Sequence, residues 1–97
     1  WQIVLDSPQG TVKQTLKIDK QQGPIGLGHL DNYPVMMVIN GDRLHFMART
    51  TGTVGTATWR YTGIIDRNGF EAQGNLTVLS DKDELLASDI PWQAYRQ

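Results

Sequence analysis

No cysteine occurs among the 97 residues, which removes a disulfide framework, a thiolate nucleophile and any Cys-based zinc site at once. Its absence suits a reducing or an oxidising compartment equally. Blocks of one charge sign are also missing: nine Lys and Arg stand against ten Asp and Glu, for a net charge of -1. Without an electrostatic footprint for phosphates, nucleic acid is not an expected partner. No apolar run nears the roughly 20 residues of a transmembrane helix, so no membrane span is expected. The chain opens on Trp1 rather than Met, which fits a processed leader or a trimmed tag upstream.

Catalytic and cofactor motifs are equally scarce, and neither a catalytic residue nor a cofactor is expected. No Ser lies in G-x-S-x-G. Gly23, Gly26 and Gly28 have the wrong order for a dinucleotide fingerprint and precede a strand-like segment rather than a helix. His29 and His45 are the only imidazoles. His29 runs in phase with apolar neighbours and His45 out of phase, so they are not expected to share a site. Asp81, Asp83, Glu84 and Asp89 form the one acidic cluster, but it lacks the Gly of a Ca²⁺ loop and reads as a solvated turn rather than a metal site. Asn75-Leu76-Thr77 matches a glycosylation acceptor yet falls within a strand pattern.

What the sequence does have is period-two alternation. Eight β-like segments recur about every twelve residues, separated by turn residues such as Ser7-Pro8-Gln9-Gly10, Lys20-Gln21-Gln22-Gly23, Asn40-Gly41-Asp42 and Asp66-Arg67-Asn68-Gly69. Residues 11–19 alternate most clearly, with Val12, Leu16 and Ile18 on one face and Lys13, Lys17 and Asp19 on the other. Ile25, Leu27 and His29 share a face in the next segment, opposite Gly26 and Gly28; Leu44, Phe46 and Ala48 share one later, as do Phe70, Ala72, Leu76 and Val78. Residues 51–55 read as a flexible link. Residues 81–88 read as a single helical turn capped by Ser80 or Asp81, with Leu85 and Leu86 packed down, and residues 91–96 as the last strand. The expected fold is a single all-β domain over residues 1–97, an eight-stranded antiparallel up-and-down barrel. With strands of about seven residues tilted about 40°, it stands about 18 Å tall and has little room for a large ligand.

Two features bear on function. Gln14 and Tyr61 fall on inward faces, and a buried polar group without a partner costs about 1 to 3 kcal/mol, so each needs a mutual bond, a water or a ligand. If the interior is a binding site, Gln14, Met37, Phe46, Trp59 and Tyr61 are the residues expected to line it, since each falls inward at mid-strand. Residues 35–39 read V-M-M-V-I, apolar on both faces. Met36 and Val38 then point outward as an interface for a second copy, unless Leu85 and Leu86 fold over the same wall.

Trp1 at the start of the first strand and Arg96 at the end of the last resemble the Trp–Arg pair of the calycin group, the lipocalins, fatty-acid-binding proteins and avidins. The turns D-S-P-Q-G and Q-Q-G-P-I-G are similar to those of small lipocalin-like domains in bacterial secreted proteins. The resemblance implies that Arg96 packs over Trp1, and that the setting is periplasmic or extracellular. It implies a non-catalytic barrel that binds a small apolar or amphipathic molecule in or at its mouth. The alternative is an accessory module with a filled core that self-associates or docks on an attached enzyme.

Overall fold

A computed structural model describes residues 1–7, 10–52 and 55–96. They form eight strands: β1 (Gln2–Ser7), β2 (Gly10–Gln22), β3 (Ile25–Leu30), β4 (Tyr33–Asn40), β5 (Arg43–Gly52), β6 (Gly55–Ile65), β7 (Glu71–Ser80) and β8 (Leu85–Tyr95). Each pairs antiparallel with the next, and β8 pairs back onto β1, closing an up-and-down barrel whose strand order follows the sequence. No helix is long and apolar enough to cross a membrane among the described residues. The expected turn at residues 7–10 and the link at 51–55 include residues 8, 9, 53 and 54, which lie outside the described residues.

Alternation supplies the core, because a residue and its cross-strand partner share a face. Leu44 on β5 faces Gly63 on β6, which faces Gly74 on β7, which faces Trp92 on β8. Gly63 makes room for the indole, since a Cβ there would sit 2.7 Å from Trp92 Cζ2, whereas Gly74 lets the β6 backbone approach, since a Cβ there would sit 1.8 Å from the Thr62 carbonyl oxygen. Trp92 Nε1 then donates to the Asn75 carbonyl at 3.0 Å, so the buried ring leaves no donor unpaired.

The structure departs from the sequence reading in three places. In β3 the inward residues are Gly26, Gly28 and Leu30, and Ile25, Leu27 and His29 face out. A side chain at position 28 is impossible, since its Cβ would lie 1.9 Å from the Lys17 carbonyl oxygen. β2 bulges opposite this point, between Ile18 and Lys20, and the extra residue turns Gln21 inward with Gly26.

The second departure is at residues 81–88, which form no helical turn. Ser80 Oγ accepts the Lys82 and Glu84 amides, as an N-cap would, but Asp83 takes a left-handed φ of 60° and the chain reverses into β8. Leu79 pairs with Leu85. Two register shifts beside this point, at Leu76/Val78 and Val78/Leu79, leave Leu85 and Leu86 in solvent instead of packed down.

The third departure concerns strand ends. Val12, on the inner face opposite Leu5, is half exposed, and Phe70 sits in the β6–β7 turn rather than in the core.

Candidate functional site

The barrel interior is divided by three aromatic rings. Phe46 stacks on Tyr61 with centroids 4.4 Å apart and planes 7° apart, and Trp92 meets both edge-on at 6.2 and 6.1 Å. On one side of this trio the barrel is packed with Leu5, Val35, Ala48, Leu76 and Val78, all buried, and with Trp59. On the other side lies a cup of about 660 Å³. Its walls include Ile3, Leu16, Met37, Ile39, Leu44 and Ala94, and Phe46 and Trp92 reach it from the trio. It opens at the end that carries the β2–β3, β4–β5 and β6–β7 turns, where Trp1, Gln21, Gly69 and Arg96 surround the mouth. Two other depressions, of about 380 and 550 Å³, have mixed linings that share Ile64, Gln73 and Gln93, with Glu71 in the smaller and Arg43 in the larger.

The mouth is pinned by main-chain bonds. Trp1 and Leu16 exchange N–H···O bonds of 2.8 Å in both directions, and the Arg96 amide donates to Phe70 O at 2.9 Å. Pairing of β1 with β8, Gln2 opposite Tyr95, brings residues 1 and 96 together, and the Arg96 guanidinium lies 5.7 Å from the Trp1 ring centroid. At an exposed site such a contact contributes about 0.5 to 1 kcal/mol. Among the described residues, Arg96 and Lys17 bring the only charged side chains of the lining, and no side-chain carboxylate belongs to it. Lys17 leans toward Asp19 at 4.0 Å on the outer face, whereas Arg96 has no ion-pair partner among the described residues.

Of the five residues expected to line an interior site, Met37 and Phe46 line the cup. Tyr61 is fully buried behind Phe46; its hydroxyl donates to Gln14 Oε1 at 2.7 Å. The two inward polar groups therefore satisfy each other. Burial pushes the Tyr61 phenol well above its ordinary value, with the Asp31 carboxylate adding in the same direction, so the hydroxyl stays a neutral donor. Trp59 packs in the opposite, filled half. Sequence reasoning missed Ile3, Leu16, Ile39, Leu44, Trp92 and Ala94 as cup walls. Period two places them inward, but which end of the barrel they reach depends on register.

Other candidates lie elsewhere. His29 and His45 both point outward, and His29 Nδ1 is 2.6 Å from Asp19 Oδ2 on the outer face. Asp81, Asp83, Glu84 and Asp89 do not converge, and among the described residues no three His, Asp or Glu side chains are placed to hold an ion. Met36 is exposed and Val38 half-buried on the outer wall. No protein-family model matches the chain, and neither a curated protein nor a solved structure matches it.

Proposed function

We propose that this chain is a non-catalytic, lipocalin-like barrel that binds one small amphipathic molecule in the cup, with its apolar part on Phe46 and Trp92 and an anionic head at Arg96. The observation that carries this reading is the cup itself. Its 660 Å³ falls within the roughly 300 to 1,000 Å³ of small-molecule sites, and its walls are mostly apolar side chains, while the Arg96 guanidinium, without an ion-pair partner among the described residues, stands at the rim. Apolar walls favour a chain or ring without selecting one. An unpaired guanidinium at the exit selects the sign of the head. The outward placement of both histidines, away from the cup, also favours binding over chemistry.

The test compares three ten-carbon probes that share a tail: an alkyl carboxylate, the alcohol and the alkyl trimethylammonium. A ligand that binds only the folded state raises its stability, by about 2.7 kcal/mol at a hundred times the dissociation constant. The carboxylate is expected to raise the melting temperature most and to change Trp fluorescence. Arg96→Gln should weaken the carboxylate about tenfold while leaving the alcohol unchanged. No effect from any of the three would remove the binding function, and equal binding of all three would remove the head-group assignment.

A further inference from the structure

We propose that the outer wall of β3–β5 is a docking surface for the acidic β7–β8 corner of a second copy of this chain, so that copies associate head to tail. The wall is defined by register. Lys20 faces Leu27, Leu27 faces Met36, Met36 faces Met47 and Met47 faces Arg60, which makes one outward cross-strand row of three apolar side chains with a cation at each end. Leu27, Met36 and Met47 are 48, 54 and 39% exposed, and in the adjacent row Ile25 faces Val38. An antiparallel wall that faces water ordinarily alternates to polar residues on its outer side. Here it does not. Strands β3 to β6 contain no Asp or Glu, whereas Arg43, Arg49 and Arg60 all lie on them.

The corner has the opposite character. Leu85 and Leu86 are 62 and 60% exposed, next to Asp81, Asp83, Glu84 and Asp89, with Lys82 the one cation between β7 and β8. These leucines cannot shield their own wall, because β8 is bonded to β7 and β1 and the wall lies on the far side of the closed barrel. A wall-to-wall pair would bring Lys20 and Arg60 of both copies together, and a corner-to-corner pair would gather the carboxylates. Corner on wall buries leucine against methionine and sets carboxylates beside Lys20 and Arg60, so charge complementarity selects the heterologous contact. Each copy keeps a free wall and a free corner, so assembly continues with concentration. The contact leaves the cup mouth untouched and stands apart from the binding function.

Sedimentation velocity on the whole chain tests this with two surface variants, Met36→Lys on the wall and Leu86→Lys on the corner. The wild type is expected to grow in mass over about a hundredfold range of concentration at low salt, and to lose that growth as salt screens the charges. Each variant alone should associate at least about tenfold more weakly. An equimolar mixture of the two should form a discrete two-copy species, because one variant retains an intact corner and the other an intact wall. Circular dichroism on both variants checks that the β-spectrum is kept, and Arg60→Glu, which leaves the apolar row whole, should weaken association by a similar factor. A wild type that stays monomeric throughout overturns the proposal. So does association that ignores salt, or a mixture that stays monomeric while the wild type associates.

Discussion

At the scale of single residues, the Tyr61–Gln14 bond decides how the barrel interior is read. Both groups point inward, and the alternatives were a ligand, a water or each other; the 2.7 Å contact answers with the last. Tyr61→Phe strands the Gln14 amide, which is only half-buried, so water can recover part of the loss. The expected destabilisation is about 1 kcal/mol in urea unfolding. The same residue sets an alkaline limit. Since the folded phenol titrates above its ordinary value, the unfolded chain gives up that proton first as pH rises past about 10. The folded state then binds more protons than the unfolded one, and stability contributed by Tyr61 is full below that pH and is lost above it. Urea midpoints between about pH 9 and pH 11 should fall less steeply for Tyr61→Phe than for wild type. An equal slope in the two proteins would contradict this assignment.

Among the elements, most of the eight strands and the turn at Asn40 were legible because alternation and turn chemistry are local signals. Asn40 pairs with Arg43, leaving Gly41 and Asp42 as a two-residue loop with Gly41 at φ 67° in its first position, where a type II′ hairpin turn takes glycine. What failed was face assignment where a bulge intervenes. Ile25, Leu27 and His29 read as inward because they are larger than Gly26 and Gly28. The deciding fact is a carbonyl of β2 pressed against Gly28, and nothing within β3 records it. The β7–β8 turn failed for a related reason. Ser80 bonds amides two and four residues on in a helix cap and in this turn alike, so its chemistry cannot choose between them.

Glycines on the strands then divide into two kinds, and mutation should separate them. Gly74→Ala drives a Cβ to 1.8 Å from a main-chain oxygen, and since backbone cannot swing aside, the loss is expected to be about 3 kcal/mol or more. Gly26→Ala meets Ile18 Cγ2 at 3.6 Å, an ordinary contact, and should change stability by less than about 1 kcal/mol. Thermal denaturation of the two variants checks the contrast, and similar melting temperatures would refute it.

For the molecule as a whole, the architecture was readable from the sequence, but the division of its interior was not. Inward residues at every strand look alike in a period-two pattern, so Trp59 and Phe46 read as equivalent liners. The tilt and register of a closed barrel send Trp59 to the packed half and Phe46 to the cup. The space was also underestimated, because a mean strand of about seven residues hides the longer β2, β6 and β8, of 13, 11 and 11 residues. Of these, β2 carries the wall from Leu16 to Gln21 at the open end of the interior. In the proposed function Arg96 acts twice, covering Trp1 and presenting to the ligand a charge that has no ion-pair partner among the described residues.

The central claim is that this open end receives a ligand. The most direct measurement is a ¹H–¹⁵N correlation spectrum recorded while the ten-carbon carboxylate is added. Binding in the cup should shift the amides of Ile3, Leu16, Met37, Ile39, Leu44 and Ala94, and leave Leu5, Ala48 and Val78 in the packed half nearly still. An unchanged spectrum at saturating probe, or shifts confined to Leu27, Met36 and Met47 on the outer wall, would contradict it.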